Sequence, residues 1–203
     1  MKLEESFYQR KDVVKIAKEL LGKVLITNIN QNITGGIIVE TEAYSFKEKG
    51  CHAYNNRMTE RNKVMFEDGG RAYVYLCYGI HHLFNVVTNV EGKADAVLIR
   101  ALEPILGETY MLKRMKTQSI KRVTSGPGKL TKALGIDRRL NGHYLLHGRV
   151  WIEDYGITFP KNSIRASSRI GIAYAEEDAD LPWRFTVKGS EWISKMVIGN
   201  RAI

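Results

Sequence analysis

The chain has 203 residues, 44% hydrophobic and 26% charged, an ordinary balance for a globular protein with one sizeable core. No apolar run approaches the ~20 residues of a membrane-spanning helix, and the opening MKLEESFYQRKD has no apolar stretch behind its lysine, so neither a membrane anchor nor a secretory leader is expected. The formal net charge of +9 points to a polyanionic partner, while two cysteines, Cys51 and Cys77, are too few for a four-sulfur zinc site and are expected as free thiols in a reducing cytoplasm.

In chain order, DVVKIAKELLG places Val13, Ile16, Ala17, Leu20 and Leu21 at helical spacing, with Asp12 to cap the start and Gly22 to end it. KVLITN and GGIIVETEAY read as strands joined by the polar turn INQN. Residues 45–70 form a polar connection with a short helix expected near Glu60 to Met65, and so long a connection is often functional. GGRAYVYLCYGIHHLFNVV, residues 69–87, reads as two strands around Tyr78-Gly79. The turn EGK then leads into DAVLIRAL, completing an antiparallel meander. A helix is expected over residues 108–116, SGPGKLTKALGI reads as a loop opening a short helix, and Asn141-Gly142 marks a turn. Short strands are expected at RVWIED, SRIGIAY and WRFTVKG. With no repeat, low-complexity run or linker, residues 1–203 are expected to form a single α+β domain on a mainly antiparallel sheet with flanking helices.

Several residue types are out of place for a plain core. Glu40 and Glu42 in VETEAY share one strand face. Arg100 interrupts the apolar AVLIRALEP, and an unpaired buried ion costs several kcal/mol, so a carboxylate–guanidinium pair inside a cleft is expected. Tyr73 and Tyr75 share a face, whereas Tyr78 sits beside the flexible Gly79, badly placed for a core and well placed to be pushed into something else. GPGKLT fails the nucleotide-binding pattern, because Val123 stands where its first glycine belongs and Leu130 follows Lys129. A glycine-rich turn opening a helix still offers free N–H groups to one nucleic-acid phosphate. Between Lys113 and Arg139 nine basic residues meet a single acid, Asp137, a concentration that fits nucleic acid first and an anionic membrane second. The five histidines are scattered and no His-Glu-x-x-His pattern occurs, so no metal centre is expected.

Taken in order, VETEAY, CHAY, MTERNKVMF, GGRAYVYLCYGIHHLFNVV, AVLIRALEP and SGPGKLTKAL give a chain that resembles the alkyladenine/3-methyladenine DNA glycosylases of the mammalian type, over roughly residues 5 to 190. The resemblance implies a bacterial, cytoplasmic, nucleoid-associated monomer with a curved sheet like that of a formyltransferase C-terminal domain. It also implies excision of alkylated or deaminated purines from double-stranded DNA, without a cofactor. Carried over by motif, Glu42 would be the general base and Arg100 would help hold the water and the carboxylate. Tyr44, His52 and Tyr75 would line the base pocket, with Asn85 at its floor to exclude the amino group of guanine. Tyr78 would be the wedge left in the duplex. Gly126, Gly128, Lys129 and Lys132 would meet the DNA backbone. Two segments depart from the pattern: SFKEKGCH is one residue short and carries two lysines, and MFEDGGRAY lacks a proline-bearing turn. The competing reading is a non-catalytic nucleic-acid-binding module, which has no use for a phosphate-repelling carboxylate such as Glu42. A metal-dependent hydrolase lacks its ligand cluster.

Overall fold

The computed structural model describes residues 1–194 and, as backbone, residues 197–198 and 201–202. A one-turn helix α1 (Glu5–Tyr8) is followed by α2 (Val13–Glu19), whose first turn is capped by the Asp12 carboxylate accepting from Lys15 N. Strands β1 (Val24–Ile29) and β2 (Asn32–Tyr44) form a hairpin whose turn places Asn30 and Gln31 in left-handed conformations, the geometry that a two-residue connection requires. After the irregular segment come β3 (Ala72–Cys77), β4 (His81–Thr88) and β5 (Asp95–Leu106), then helices α3 (Glu108–Met115) and α4 (Pro127–Leu134). Strands β6 (Val150–Glu153), β7 (Ile164–Ser167) and β8 (Arg184–Val187) close the sheet, and β9 (Val197–Ile198) pairs with β10 (Arg201–Ala202) apart from it.

The main sheet has eight antiparallel strands in the path β3-β4-β5-β2-β1-β6, with β8 on the second half of β2 and β7 beyond it. Strand alternation sorts its side chains into two faces. Val39, Ala43, Val74, Phe84, Val86, Val97, Ile99 and Ala101 join the main core with α2 and α4. Tyr73, Val87 and Ala96 join a second cluster, roofed by Cys51, Ala53, Val64, Met65 and Phe66 from the segment after β2. On this second face the register lines up Glu42 with Leu98, Leu98 with Asn85, and Asn85 with Tyr73, one row across four strands.

Two expectations need correction. SRIGIAY is not a strand: residues 168–172 run as a loop into a 3₁₀ segment, Ala173–Asp180, because the Arg169 side chain is buried against Glu48 rather than the backbone joining a ladder. The short helix expected near Glu60 to Met65 is a single 3₁₀ turn at Lys63–Phe66. Both cysteines are free. Among the described residues no helix is long and apolar enough to cross a membrane, and no group of three or more His, Cys, Asp or Glu is placed to hold a metal.

Candidate active site

A cavity of about 800 Å³ opens on the second face, within the size range of small-molecule sites. Tyr44, His52, Tyr75, Tyr78, Asn85, Arg100, Gly126, Gly128 and Lys129 all line it. Lys132, one turn further along α4, lines a separate hollow with His81, His82 and Arg139.

Behind the cavity wall lies a cluster of buried charge. Glu42 is wholly buried: its Oε2 accepts from Tyr44 Oη (2.8 Å) and Arg100 Nη1 (3.1 Å), and its Oε1 from the Ile170 amide (2.8 Å). All three donors belong to residues that line the cavity, although Glu42 itself does not, so the carboxylate sits one side chain deep. Three of its roughly four acceptor positions are filled. Glu40, on the same strand face, accepts from Arg100 Nε (3.0 Å), Arg184 Nε (2.7 Å) and both the amide and hydroxyl of Ser194 (2.7 Å each). Burial alone would push the Glu40 carboxyl up, but Arg100, Arg184 and the Ser194 bonds together hold it below the usual carboxylate range. Burial pushes the Tyr44 hydroxyl well up, with Glu42 adding to the shift, so Tyr44 serves as a proton-bearing donor to that carboxylate.

A β-bulge aims Arg100. Ile99 faces Thr41 but Ala101 faces Glu40, so Arg100 is the extra residue in β5, and its carbonyl accepts from Gly126 N (3.1 Å) in the loop before α4. Gly126 adopts φ +115°, open only to glycine, and a Cβ on Gly128 would lie 2.8 Å from the His81 ring. These two glycines let the start of α4 press against the β3–β4 hairpin, and Thr131 Oγ1 pins it there by donating to the His82 carbonyl (2.7 Å).

The aromatic wall is built from strand β3 and the roof segment above it. Tyr73 and Tyr75 lie in a tilted stack (centroids 5.3 Å apart), His52 packs edge-on against Tyr75 (4.7 Å), and the His52 Nδ1 shares a hydrogen bond with Tyr73 Oη (3.0 Å). Desolvation beside the tyrosine rings, reinforced by the charge of Arg61, lowers the His52 pKa to about 4, so the ring is neutral at pH 7 although the residue as a whole is exposed. Asn85 Nδ2 donates to the Tyr73 carbonyl (3.1 Å), fixing this cavity-lining side chain. Tyr78 lies at the hairpin tip in a left-handed conformation (φ +50°) and is 88% exposed. Ile80 beside it is 73% exposed.

Several contributors carry no local signal in the sequence: the Ile170 amide, Ser194, Arg184, and the pair in which Arg169 donates through both Nη atoms to Glu48 (2.6 and 2.7 Å). Arg169 also lies over the Tyr44 ring (4.8 Å) and donates to the Ala43 carbonyl. The shortened segment SFKEKGCH is thereby closed by its own Glu48, which also accepts from the amides of Ser45 and Gly50. The basic run is not uniformly available either: Arg114 is half-buried and bonds Thr34 Oγ1 and the Ala133 carbonyl, and Arg139 pairs with Asp137, whereas Lys129 and Lys132 are exposed.

Flat aromatic faces in front of a buried acid, beside a basic helix, are the equipment of a hydrolase that acts on the bases of nucleic acid. Comparison with known proteins makes the class definite: residues 6–191 match the family described as methylpurine-DNA glycosylase (MPG). The chain belongs to that family, whose members hydrolyse N-glycosidic bonds in the repair of alkylated DNA. Relatives that carry the name 3-methyladenine DNA glycosylase are similar over nearly their whole length. One from Chlamydia abortus is 47% identical across 90% of this chain and 96% of its own, and one from Natranaerobius thermophilus is 43% identical across 96% and 99%. A third, from Carboxydothermus hydrogenoformans, is 44% identical across 96% and 100%.

Proposed function

We propose that this enzyme, acting as a monomer on double-stranded DNA, extrudes damaged purines into the aromatic cavity and hydrolyses the N-glycosidic bond with a water activated by Glu42. The substrate class is 3-methyladenine, 7-methylguanine, hypoxanthine and ethenoadenine. The observation that carries the reading is the position of Glu42: a fully buried carboxylate whose three hydrogen-bond donors all line the same cavity as Tyr75 and Asn85. A base stacked in a duplex cannot be reached for in-line attack, so it must be flipped, at a cost of about a few kcal/mol. Tyr78, on an exposed turn, fills the gap and slows the return of the base. Alkylation at N3 or N7 makes the purine cationic, and each tyrosine face attracts such a ring by ~0.5–2 kcal/mol. The neutral His52 adds contact without charge repulsion. Asn85 crowds the 2-amino group of an undamaged guanine, whereas 7-methylguanine, which carries the same group, is released through the weakened bond of its cationic ring. Glu42 takes the proton of the water held at its remaining acceptor position, while Arg100, bonded to Glu42 Oε2, keeps the carboxylate oriented.

The test is release of bases from methylated duplex DNA in EDTA by the wild type and Glu42→Gln. The variant should bind DNA as tightly as the wild type and lose ~10²-fold or more in the single-turnover rate. An unchanged rate would remove Glu42 from the chemistry, and dependence on added metal would overturn the mechanism.

A further inference from the structure

We infer that Arg61 is a removable cap on the base-stacking surface of Tyr75, and that its charge sets the balance between cationic and neutral purines. The proposal rests on the reading that the cavity receives a flipped base.

The guanidinium of Arg61 lies 5.0 Å from the centre of the Tyr75 ring, and Arg61 lines the cavity. Tyr75 is already engaged elsewhere: Tyr73 stacks on it at 5.3 Å and the edge of His52 packs at 4.7 Å. The surface that Arg61 covers is therefore the one left for an incoming base. A planar guanidinium over an aromatic ring occupies the place of a planar, positively charged purine and is held by the same attraction. Base and guanidinium cannot share that surface, and when the base is cationic the two charges also repel.

The backbone at this point is fixed while the side chain is not. Asn62 is buried, its Nδ2 donates to the carbonyls of His52 and Arg57, and its Oδ1 accepts from Thr59 N. Arg61 itself is exposed, and the acids nearest in sequence are engaged elsewhere, Glu60 with Lys63 and Glu67 with Arg71. Among the described residues no carboxylate anchors the guanidinium, whose neutral polar neighbour is the Tyr73 hydroxyl, so it can swing out about its own side-chain bonds without the loop opening. The DNA phosphates that arrive with the base supply the counter-charge for the displaced cation.

The consequence is a selectivity opposite to that of the tyrosines. Tyrosine faces favour a cationic base, whereas a nearby arginine that is displaced but still close disfavours it relative to a neutral one of the same shape. The experiment compares single-turnover release, at saturating enzyme, from duplexes carrying one 7-methylguanine (cationic) or one hypoxanthine (neutral), for the wild type, Arg61→Met and Arg61→Lys. Methionine keeps an unbranched apolar stem without charge. It should raise the hypoxanthine rate by about two- to thirty-fold, the range of the one cation–π contact that capped the ring, and the 7-methylguanine rate by a larger factor, because charge repulsion is relieved as well. Lysine should stay near the wild type. The proposal is overturned if Arg61→Met leaves the 7-methylguanine rate unchanged or lowers it, if both rates rise by the same factor, or if lysine behaves like methionine. Release of 7-methylguanine by neither the wild type nor Arg61→Met would instead sink the excision reading beneath it.

Discussion

Replacing Arg100 by methionine tests the buried charge cluster directly. Glu40 and Glu42 are completely inaccessible, and the Arg100 side chain is 7% exposed. Two carboxylates are balanced there by two guanidinia, Arg100 and Arg184. Without Arg100, Glu42 keeps only the Tyr44 hydroxyl and the Ile170 amide as hydrogen-bond donors, and Glu40 keeps Arg184 as its one bonded guanidinium. Removing one partner of a buried pair costs about 3–5 kcal/mol. For a chain of this length each kcal/mol moves Tm by about 2–4 °C, so a fall of roughly 6–20 °C is expected. The pH dependence gives the cause. In the wild type the Glu40 carboxyl is depressed below its unfolded value, so its contribution is present above the ordinary carboxylate range and lost as pH falls through the depressed value. In the variant the Arg100 charge no longer offsets burial, so the folded value rises, and the loss relative to wild type is largest above the ordinary carboxylate range and fades as pH falls through it. Thermal unfolding of both proteins from about pH 7 to about pH 3 should therefore show a gap that narrows toward acid. A variant within about 1 kcal/mol of wild type at neutral pH, or a gap constant with pH, would refute the account.

Tyr78→Gly should leave Tm unchanged or slightly raised. The side chain removed is 88% exposed, and glycine relieves a left-handed backbone that costs other residues about 1–2 kcal/mol. Fluorescence of a base analogue beside the lesion should nevertheless show faster return of the flipped base, and an unaltered return rate would deny Tyr78 its role as wedge. The double change Lys129→Gln and Lys132→Gln should flatten the plot of log affinity against log salt by about 0.9 for each phosphate that is no longer neutralised. A parallel shift with no change in slope would mean that neither lysine meets a phosphate. The folded pKa of His52 lies near 4, below the usual 6.5, so the stability linked to its neutral form is present above pH 6.5 and lost as pH falls toward 4. His52→Gln should flatten that stretch of the stability curve and leave the rate profile between about pH 6.5 and 8 unmoved. A rate profile that shifts would make the ring a titrating participant.

What could be read from the chain by itself is what depends on near neighbours. Asp12 capping α2, the left-handed turn after Ile29, and the assignment of Glu40, Glu42 and Tyr44 to one face all follow from spacings of a few residues. So does the separation of Tyr73 and Tyr75 from Val74, since alternation along a strand is a local property. Arg100 stands out as a charge in an apolar strand, an anomaly that forces a partner without naming one.

Which partner it takes was decided only by the folded chain. Apart from Tyr44, two positions along the same strand, the donors that hold the two acids come from β5, from the loop after β7, from β8 and from Ser194, separated by 58 to 154 positions. Nothing local marks Ile170, whose contribution is a backbone amide that any residue would offer, and SRIGIAY reads as a strand until Arg169 is seen buried against Glu48. Arg61 is one more surface charge until packing brings it over Tyr75. A side chain's own neighbours determine which way it points, but contacts across the sheet depend on register, on the bulge at Arg100 and on how the roof segments settle.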